Sequence, residues 1–366
     1  MPTAIRDLLP KIAPIFFAIS NTIYWWLPAL VIFLILKLCL HRRFRQRWGQ
    51  LLKRMAIASL FIYLAAFALL YIMQPRLMYH PTHELQTTPA SHNLTYEEFW
   101  VPTTAANATL NASPNASAEK LHGWWIPQPK QAIGTLIYFH GAGLNIGFNV
   151  TQAFWLRQSG FNVLLMEYRG YGLSEGDFPT EASLYQDAET ALAYVTQEKQ
   201  IEESDVYLYG HSLGGAIAIN LASHHPTLGG LIIHNSFTSM ADMVARSHYA
   251  RWFPVQWMLT QRFESLKKVS QLQVPMLLIH AKGDPLIPVE MGKRLFQAAP
   301  SQRKELVLVD TDVHNNAAAI YKDARHLVRV KLFAVGGRAM LHAHYPIEDG
   351  FLAFEIRLLI VANLQS

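Results

Sequence analysis

The chain has 366 residues, of which 51% are hydrophobic and only 16% are charged. This composition is too apolar for an ordinary soluble domain, and the length suits one large α/β domain with additional segments. The formal net charge of +5 comes from one short segment, residues 41–54, which contains six Arg and Lys residues and no acid. Without those six residues the 31 basic residues fall to 25, against 26 acidic residues, which argues against a nucleic-acid-binding protein.

Two long apolar segments lie on either side of this basic segment. Ile15–Leu36 is apolar over almost its whole length, and Met55–Met73 contains no charged residue. Each has about the 20 residues that a membrane-spanning helix needs. A buried core helix is the alternative for both, and a cleavable signal peptide is a further alternative for the first. Basic residues follow the first segment instead of preceding it, so we predict two transmembrane helices within an anchor formed by residues 1–76.

The basic segment also predicts the orientation of the anchor. A short loop rich in Arg and Lys is retained on the cytoplasmic side of a membrane. Residues 41–54 are therefore predicted to be a cytoplasmic loop, with both ends of the hairpin outside. The domain that follows is then extracytoplasmic, in a bacterial periplasm or on the lumenal side. The single cysteine, Cys39, excludes a disulfide within one chain.

The stretch after the anchor is polar and rich in turn-forming residues. Gln74–Gln86 is predicted to be a linker that is solvated or lies at the level of the lipid headgroups, with a metal pair of His80 and His83 as the less favoured alternative. Strands are predicted at Thr95–Val101 and Leu121–Ile126. Between them, Pro102–Lys120 has the Ala, Asn, Ser and Thr composition of a surface loop. It contains N-x-S/T sequons at Asn107, Asn111 and Asn115, and further sequons occur at Asn93 and Asn149.

From Gly134 onward, strand patterns alternate with helix patterns. Strands are predicted at Gly134–Phe139, Phe161–Glu167, Val206–Tyr209, Gly230–His234, Pro275–His280 and Glu305–Val309, and helices at Thr151–Ser159, Thr180–Gln197 and Val289–Ala299. Continuous Val, Ile and Leu runs between amphipathic helices predict an α/β fold with a mostly parallel sheet covered on both faces. In such sheets the functional groups gather at the carboxyl ends of the strands.

One strand end carries a recognisable chemical motif. Asp205–Gly215 reads DVYLYGHSLGG, in which a β-prone run breaks at a G-x-S-x-G pattern and a small-residue helix pattern follows. This context predicts a nucleophile elbow, a strained turn that lifts the Ser212 hydroxyl above the sheet edge. Gly210 and Gly214 are expected because the neighbouring strand and helix come too close for a Cβ atom. The helix N-terminus favours negative charge beside the serine.

Four segments together resemble the α/β-hydrolase superfamily. They are HGAGLNIG at 140–147, EYRGYGLSEG at 167–176, GHSLGG at 210–215 and HAKGDPLIP at 280–288, and they occur in the superfamily's order. The nearest likeness is to membrane-anchored serine hydrolases related to the fungal bud-emergence homologues. The resemblance runs from about Leu77 to about Lys322. It implies a catalytic domain at 77–330, followed by an atypical C-terminal extension at 331–366.

The same resemblance implies a catalytic triad. Ser212 is the expected nucleophile, Asp284 the acid that follows a strand, and His314 the base that follows the last core strand. Glu290 is the reserve acid, although it lies in a predicted helix. The alternatives for the base are His326, His342 and His344. Related proteins carry small residues just before this histidine, whereas Asp312 and Val313 stand there in this chain.

The remaining expectations concern the oxyanion and the cofactor. The backbone N–H groups of Leu213 and Ala142 are expected to form the oxyanion hole, with His140 holding the loop. We find no metal-ligand cluster and no dinucleotide motif after the first strand, so no cofactor is predicted.

The predicted function is a membrane-anchored serine hydrolase that cleaves carboxylic esters or thioesters. Its expected partners are a lipophilic ester or acyl substrate and the lipid bilayer, and not a nucleic acid. Ser236–Ser270 is rich in Met, Trp and Phe, which favours a cap over an acyl pocket. A serine peptidase or an acyltransferase with the same triad is the alternative within enzymes. A non-catalytic protein that binds through an α/β-hydrolase domain is the alternative from another class.

Overall fold

The computed structural model describes residues 26, 29–34, 36, 42–103, 119–248, 250–315, 330, 333 and 334. The chain divides into two units, Met1–Leu70 and Tyr71–Ser366. Helix α1 (Arg42–Met78) begins in the first unit and ends in the second. Among the described residues, its part from Arg47 to Met78 is the one helix long and apolar enough to cross a membrane.

The predicted anchor is described only in part. The predicted span Met55–Met73 lies within α1. Most of the other predicted span, Ile15–Leu36, lies outside the described residues. The basic segment 41–54 is helical from Arg42 onward. Arg and Lys have high helix propensity, and no Gly or Pro cluster interrupts them. The cytoplasmic location of this segment stays a prediction.

The second unit is built on two sheets. Its strands are β1 (His80–Pro81), β2 (Glu97–Pro102), β3 (Lys120–Ile126), β4 (Gly134–Phe139), β5 (Gly143–Leu144), β6 (Phe161–Met166), β7 (Val206–His211), β8 (Gly230–His234), β9 (Met276–Ala281) and β10 (Lys304–Val309). The helices after α1 are α2 (Val150–Gln158), α3 (Glu181–Ala193), α4 (Leu213–His224), α5 (Met240–Ala245), α6 (Val255–Met258), α7 (Ser265–Val269) and α8 (Val289–Ala298). Short 3₁₀ turns occupy Pro89–His92, Ile146–Asn149, Glu203–Asp205 and Ala250–Trp252.

The main sheet has eight strands in the order β10-β9-β8-β7-β4-β6-β3-β2. The six strands from β10 to β6 are parallel, while β3 pairs antiparallel with β6 and β2 pairs antiparallel with β3. Buried residues of α3, α4 and α8 pack on one face, and those of α2 pack on the other. The predicted α/β-hydrolase fold, with helices on both faces of a mostly parallel sheet, is confirmed.

Helix α3 begins at the predicted N-cap. The Thr180 hydroxyl accepts from the Ser183 N–H at 3.2 Å, and the Ser183 hydroxyl accepts from the Thr180 N–H at 2.8 Å. These two bonds satisfy backbone donors that the helix itself cannot pair. The α-helix ends at Ala193 and continues as a π-helical turn over Tyr194–Glu198, so the predicted helix spans two helix types.

The segment that follows α1 is packed into the second unit. Tyr79 is 1% exposed, and its hydroxyl donates to Gln261 Oε1 at 3.0 Å. Strand β1 pairs with β5, and the His80 N–H donates to the Ala142 carbonyl at 2.9 Å. The prediction of a solvated linker at Gln74–Gln86 is therefore wrong for its first half.

The hydrolase core continues past residue 330. Phe333 and Ala334 are buried and belong to the hydrophobic cluster that contains α2. The Phe333 ring lies against Gly230, and the Tyr207 hydroxyl donates to the Ala334 carbonyl at 3.2 Å. The predicted domain boundary at 330 stays a prediction, and apart from Phe333 and Ala334 the predicted extension 331–366 lies outside the described residues.

Candidate active site

The turn after β7 holds Ser212 in a strained backbone conformation. Its φ and ψ are 55° and −117°, in a region that costs a residue with a side chain about 1–3 kcal/mol. The Ser212 N–H donates to the His234 carbonyl at 2.9 Å, and the Ser236 hydroxyl donates to the Ser212 carbonyl at 2.8 Å. These bonds from the end of β8 hold the serine at the carboxyl edge of the sheet.

The glycines around Ser212 are required by close backbone contact. A Cβ atom on Gly210 would overlap the Gly214 carbonyl, and one on Gly214 would overlap the Phe139 carbonyl at the end of β4. The predicted reason for both glycines is confirmed. This close approach lets α4 start directly beneath the serine, with its N–H groups facing the site.

The structure brings the three predicted triad residues together. His314 Nε2 lies 3.0 Å from Ser212 Oγ, and His314 Nδ1 lies 2.7 Å from Asp284 Oδ2. The exposed fractions of Ser212, Asp284 and His314 are 9%, 8% and 8%. With Nδ1–H donating to the carboxylate, Nε2 is free to accept the serine hydroxyl proton.

Asp284 is fixed by its own loop. Its Oδ1 atom accepts from the N–H groups of Leu286 at 2.8 Å and Ile287 at 2.9 Å. The His280 Nε2–H donates to the Ile287 carbonyl at 3.0 Å and closes the loop onto the end of β9. Burial alone raises the pKa of the Asp284 carboxyl, but the bonds from His314 and the backbone outweigh it and hold that pKa below its ordinary value. The carboxylate is therefore ionised at neutral pH.

The reserve acid lies elsewhere. Glu290 is in the first turn of α8, with an exposed side chain that lies 3.8 Å from Lys293. Asp284, and not Glu290, is the carboxylate that contacts the histidine. The alternative bases His326, His342 and His344 lie outside the described residues.

The loop before His314 accommodates the two larger residues of this chain. Asp312 and Val313 are exposed, whereas His314 is buried. Because their side chains point to solvent, their size does not displace the imidazole. Two side chains that the sequence did not single out, His211 and Asn235, donate to the His314 carbonyl at 3.1 and 2.9 Å. The one feature of the sequence that indicates a role for these two residues is their position, since each stands at the carboxyl end of a buried strand.

The predicted oxyanion loop lies against the nucleophile. A Cβ atom on Gly141 would lie 3.6 Å from Ser212 Cβ. The Ala142 carbonyl accepts from the Tyr171 hydroxyl at 2.7 Å as well as from His80, which fixes the peptide that follows the expected donor. Within the described part of the chain, the N–H groups of Ala142 and Leu213 donate to no protein acceptor. Both are available to a ligand, and their role remains a prediction.

The EYRGYG segment, residues 167–172, supplies a carboxylate that binds this loop. The Glu167 carboxylate lies 2.8 Å from His140 Nε2 with one oxygen and accepts from the Ile146 N–H at 2.8 Å with the other. His140 Nδ1–H donates to the Gly141 carbonyl at 2.8 Å. His140 and Glu167 are both fully buried. His140 thus holds the loop as expected, while the role of Glu167 was not visible in the sequence pattern.

The cap segment contains short helices and an apolar cavity. The cavity has a volume of about 280 Å³ and is lined by α5, α6 and the residues between them, including Phe253. No triad residue lines it, so the predicted acyl pocket at Ser212 stays a prediction. Trp257 at its rim is 87% exposed.

Among the described residues, His80 and His83 belong to no larger group of metal-ligating side chains. In residues 42–103, 119–248 and 250–315, no group of three or more His, Cys, Asp or Glu side chains is arranged to hold a metal ion. His83 Nδ1 instead lies 3.3 Å from the Gly172 carbonyl.

Comparison with known proteins finds similarity at the level of sequence and of fold. Residues 130–268 match the family described as serine aminopeptidase, S33. The chain is 30% identical to the protein bem46 of Schizosaccharomyces pombe over 281 residues, covering 72% of this chain and 88% of bem46. It is 26% identical to the α/β hydrolase domain-containing protein WAV2 of Arabidopsis thaliana over 268 residues, covering 68% and 83% of the two chains.

Solved structures share the fold at low sequence identity. An esterase from Pyrococcus furiosus superimposes with a TM-score of 0.56 at 18% identity, covering 70% of this chain and 97% of the esterase. An α/β hydrolase from Vibrio vulnificus superimposes with a TM-score of 0.52 at 20% identity, covering 66% and 83% of the two chains. At these identities the likeness is evidence of fold alone.

Proposed function

The chain belongs to the α/β-hydrolase family that includes bem46 of Schizosaccharomyces pombe, and we propose that it is a membrane-anchored serine hydrolase of carboxylic esters or thioesters. The observation that carries the proposal is the continuous set of contacts from Ser212 Oγ through the His314 ring to Asp284, at 3.0 and 2.7 Å. Family membership alone does not fix an activity, whereas these contacts supply what a serine nucleophile needs.

In the proposed first half-reaction, Ser212 Oγ attacks the carbonyl carbon of the substrate while His314 Nε2 takes the hydroxyl proton. The substrate oxygen becomes an oxyanion and accepts from the N–H groups of Leu213 and Ala142, each worth roughly 3–4 kcal/mol of transition-state stabilisation. The ionised Asp284 stabilises the imidazolium. The imidazolium then protonates the departing alkoxide or thiolate, which leaves an acyl ester on Ser212.

In the second half-reaction, water takes the place of the leaving group. His314 removes one proton from the water as its oxygen attacks the acyl carbon, and the same two N–H groups bind the new oxyanion. Collapse of this intermediate returns the proton to Ser212 Oγ and releases the carboxylic acid. The strained turn keeps Oγ at the same place in both halves, so one base serves both steps.

A lipophilic substrate is supported by two features of the chain. One is the apolar helix α1, which is consistent with an anchor in the bilayer where such substrates dissolve. The other is the composition of the cap segment Ser236–Ser270, which is rich in Met, Trp and Phe. A peptidase on the same residues is the second candidate, and the family match described as serine aminopeptidase favours it. An extracytoplasmic catalytic domain, proposed from the basic segment, is tested by protease protection of residues after Met73.

Turnover of matched substrates tests the proposed reaction. Full-length protein in lipid nanodiscs is assayed with nitrophenyl esters of increasing chain length, with the corresponding thioesters and with aminoacyl nitroanilides. We expect ester or thioester hydrolysis that rises with chain length and is absent in Ser212→Ala. Nitroanilide hydrolysis alone would favour the peptidase. No Ser212-dependent turnover of any of the three classes would contradict an enzymatic function of this kind.

A further inference from the structure

Two side-chain donors bind the backbone carbonyl of His314, the residue proposed as the base. Among the described residues, no backbone–backbone hydrogen bond involves residues 312–315. The last such bonds before His314 are those of Thr311, whose carbonyl accepts from the Gly283 N–H at 2.9 Å. Within the part of the chain that the structure describes, the contacts that hold the His314 backbone are the two side-chain donors on its carbonyl, His211 and Asn235.

Asn235 connects three parts of the site. It follows β8 directly and has a φ of 46°, which turns its side chain back over the neighbouring strand ends. Its N–H donates to the Ile279 carbonyl at 3.0 Å, and its Oδ1 accepts from the Ala281 N–H at 2.8 Å. Asn235 thus binds the backbone of β9 at two positions. Its Nδ2 donates to the His314 carbonyl at 2.9 Å. The residue is fully buried, so water does not compete for these bonds.

His211 supplies the second donor from the adjacent strand. The parallel register places it beside His234, and its Nε2–H reaches the His314 carbonyl at 3.1 Å. The centres of the His211 and His314 rings are 5.2 Å apart. Burial, together with the neighbouring His314, lowers the pKa of His211 to about 4, so this ring is neutral at physiological pH. A neutral donor suits this place, because a charged ring would repel the imidazolium that forms on His314.

We propose that His211 and Asn235 are positioning residues, which hold His314 by its backbone carbonyl so that Nε2 stays at Ser212 Oγ. This inference rests on the proposed function of Ser212, His314 and Asp284. When the serine proton moves to His314, the Nε2 contact with Ser212 changes while the Nδ1 contact with Asp284 persists. Two donors on the carbonyl keep the backbone fixed through both half-reactions.

The substitution Asn235→Asp tests the role of the amide donor. One carboxylate oxygen still accepts from the Ala281 N–H, but the other no longer donates to His314. We expect kcat for a soluble ester to fall by about 10- to 100-fold with little change in KM, since a base displaced by about 1 Å costs rates of that order. Asn162→Asp is the matched control, because Asn162 accepts from the Gln128 N–H at 2.9 Å and donates to Thr135 at 3.2 Å away from His314.

Two substitutions of His211 test the second donor in the same way. His211→Leu removes the donor, whereas His211→Gln places an N–H near the original Nε2. We expect the leucine variant to lose kcat by about tenfold or more and the glutamine variant to recover most of that loss. Equal losses in the two variants would overturn the role of the donor at this position.

A His314→Ala background separates positioning from general damage to the fold. If Asn235 acts through His314, Asn235→Asp has no further effect on the residual rate in that background. The same fold-loss in both backgrounds would overturn the proposal. A crystal structure of Asn235→Asp gives a readout that needs no activity. We expect the distance from His314 Nε2 to Ser212 Oγ to lengthen beyond hydrogen-bond range, and an unchanged distance of 3.0 Å overturns the proposal even in an inactive protein. An inactive wild type with the expected displacement in the variant instead contradicts the proposed function alone.

Discussion

Replacing Asp284 with asparagine should keep the loop and reverse the hydrogen bond on which the base depends. In the structure one carboxylate oxygen accepts from Leu286 and Ile287, and the other faces His314 Nδ1 at 2.7 Å. An amide oxygen serves the two backbone donors equally well, so the amide NH₂ turns toward His314. It then donates to Nδ1, which moves the ring proton to Nε2, where it faces Ser212. A ring in that tautomer cannot accept the serine proton.

The expected changes in stability and in kcat follow from the hydrogen bonds that Asp284→Asn keeps and from the one that it reverses. The two loop bonds remain, so we expect the free energy of unfolding to change by less than about 2 kcal/mol. The wrong tautomer removes both proton acceptance and stabilisation of the imidazolium. The corresponding change in a serine protease triad lowers kcat by about 10⁴-fold, which corresponds to about 5.5 kcal/mol of activation free energy.

The assay is the turnover of a soluble ester by full-length Asp284→Asn, with thermal unfolding measured on the same sample. Glu290→Gln is the matched control, since its carboxylate is exposed and pairs with Lys293. It should change kcat by less than about twofold. Retention of a tenth or more of wild-type kcat by Asp284→Asn would refute the reasoning. So would a large loss in Glu290→Gln, because the acid would then be the other carboxylate.

Three further predictions concern residues around the triad. Burial, together with the neighbouring His314 and His140 and against the opposing effect of Asp284, lowers the pKa of His211 from 6.5 to about 4, so the native state takes up this proton less readily than the unfolded chain. Stability should therefore fall as the pH drops from about 6.5 toward 4, by roughly 3 kcal/mol from this group. Urea unfolding of wild type and His211→Gln at several pH values should diverge over that range, and parallel curves would contradict the prediction. Glu167→Ala leaves His140 and the Ile146 N–H without their buried partner, so it should lower the free energy of unfolding by about 3 kcal/mol or more, whereas Glu167→Gln should lose less than half as much in the same urea assay. Gly210→Ala should lower the melting temperature strongly because its Cβ would overlap the Gly214 carbonyl, while Gly143→Ala, which meets no atom within 4 Å, should leave the melting temperature nearly unchanged.

The strands and the serine turn could be predicted because their signals are local. The apolar runs at Gly134–Phe139 and Gly230–His234 are bounded by residues that end strands, and the structure has strands with the same bounds. The glycines around Ser212 are required by contacts within a few residues of the turn and by one neighbouring strand. Such patterns need no knowledge of the sheet order.

The supporting contacts could not be predicted because they depend on which strands are neighbours. Glu167 reaches His140 since β6 lies beside β4, and Asn235 reaches His314 since β8, β9 and β10 lie side by side in that order. Nothing in a linear pattern of hydrophobicity states that order. The burial of Tyr79 was not predicted for a related reason, because its partner Gln261 comes from the distant cap segment.

The central claim is that Ser212 is a nucleophile activated by His314. Its most direct test is to treat the full-length protein with a fluorophosphonate and to locate the adduct by mass spectrometry of the peptides. The account predicts a single adduct on Ser212, absent in Ser212→Ala and formed at least about 10³-fold more slowly in His314→Ala. No adduct on Ser212, or labelling at the wild-type rate in His314→Ala, would contradict it.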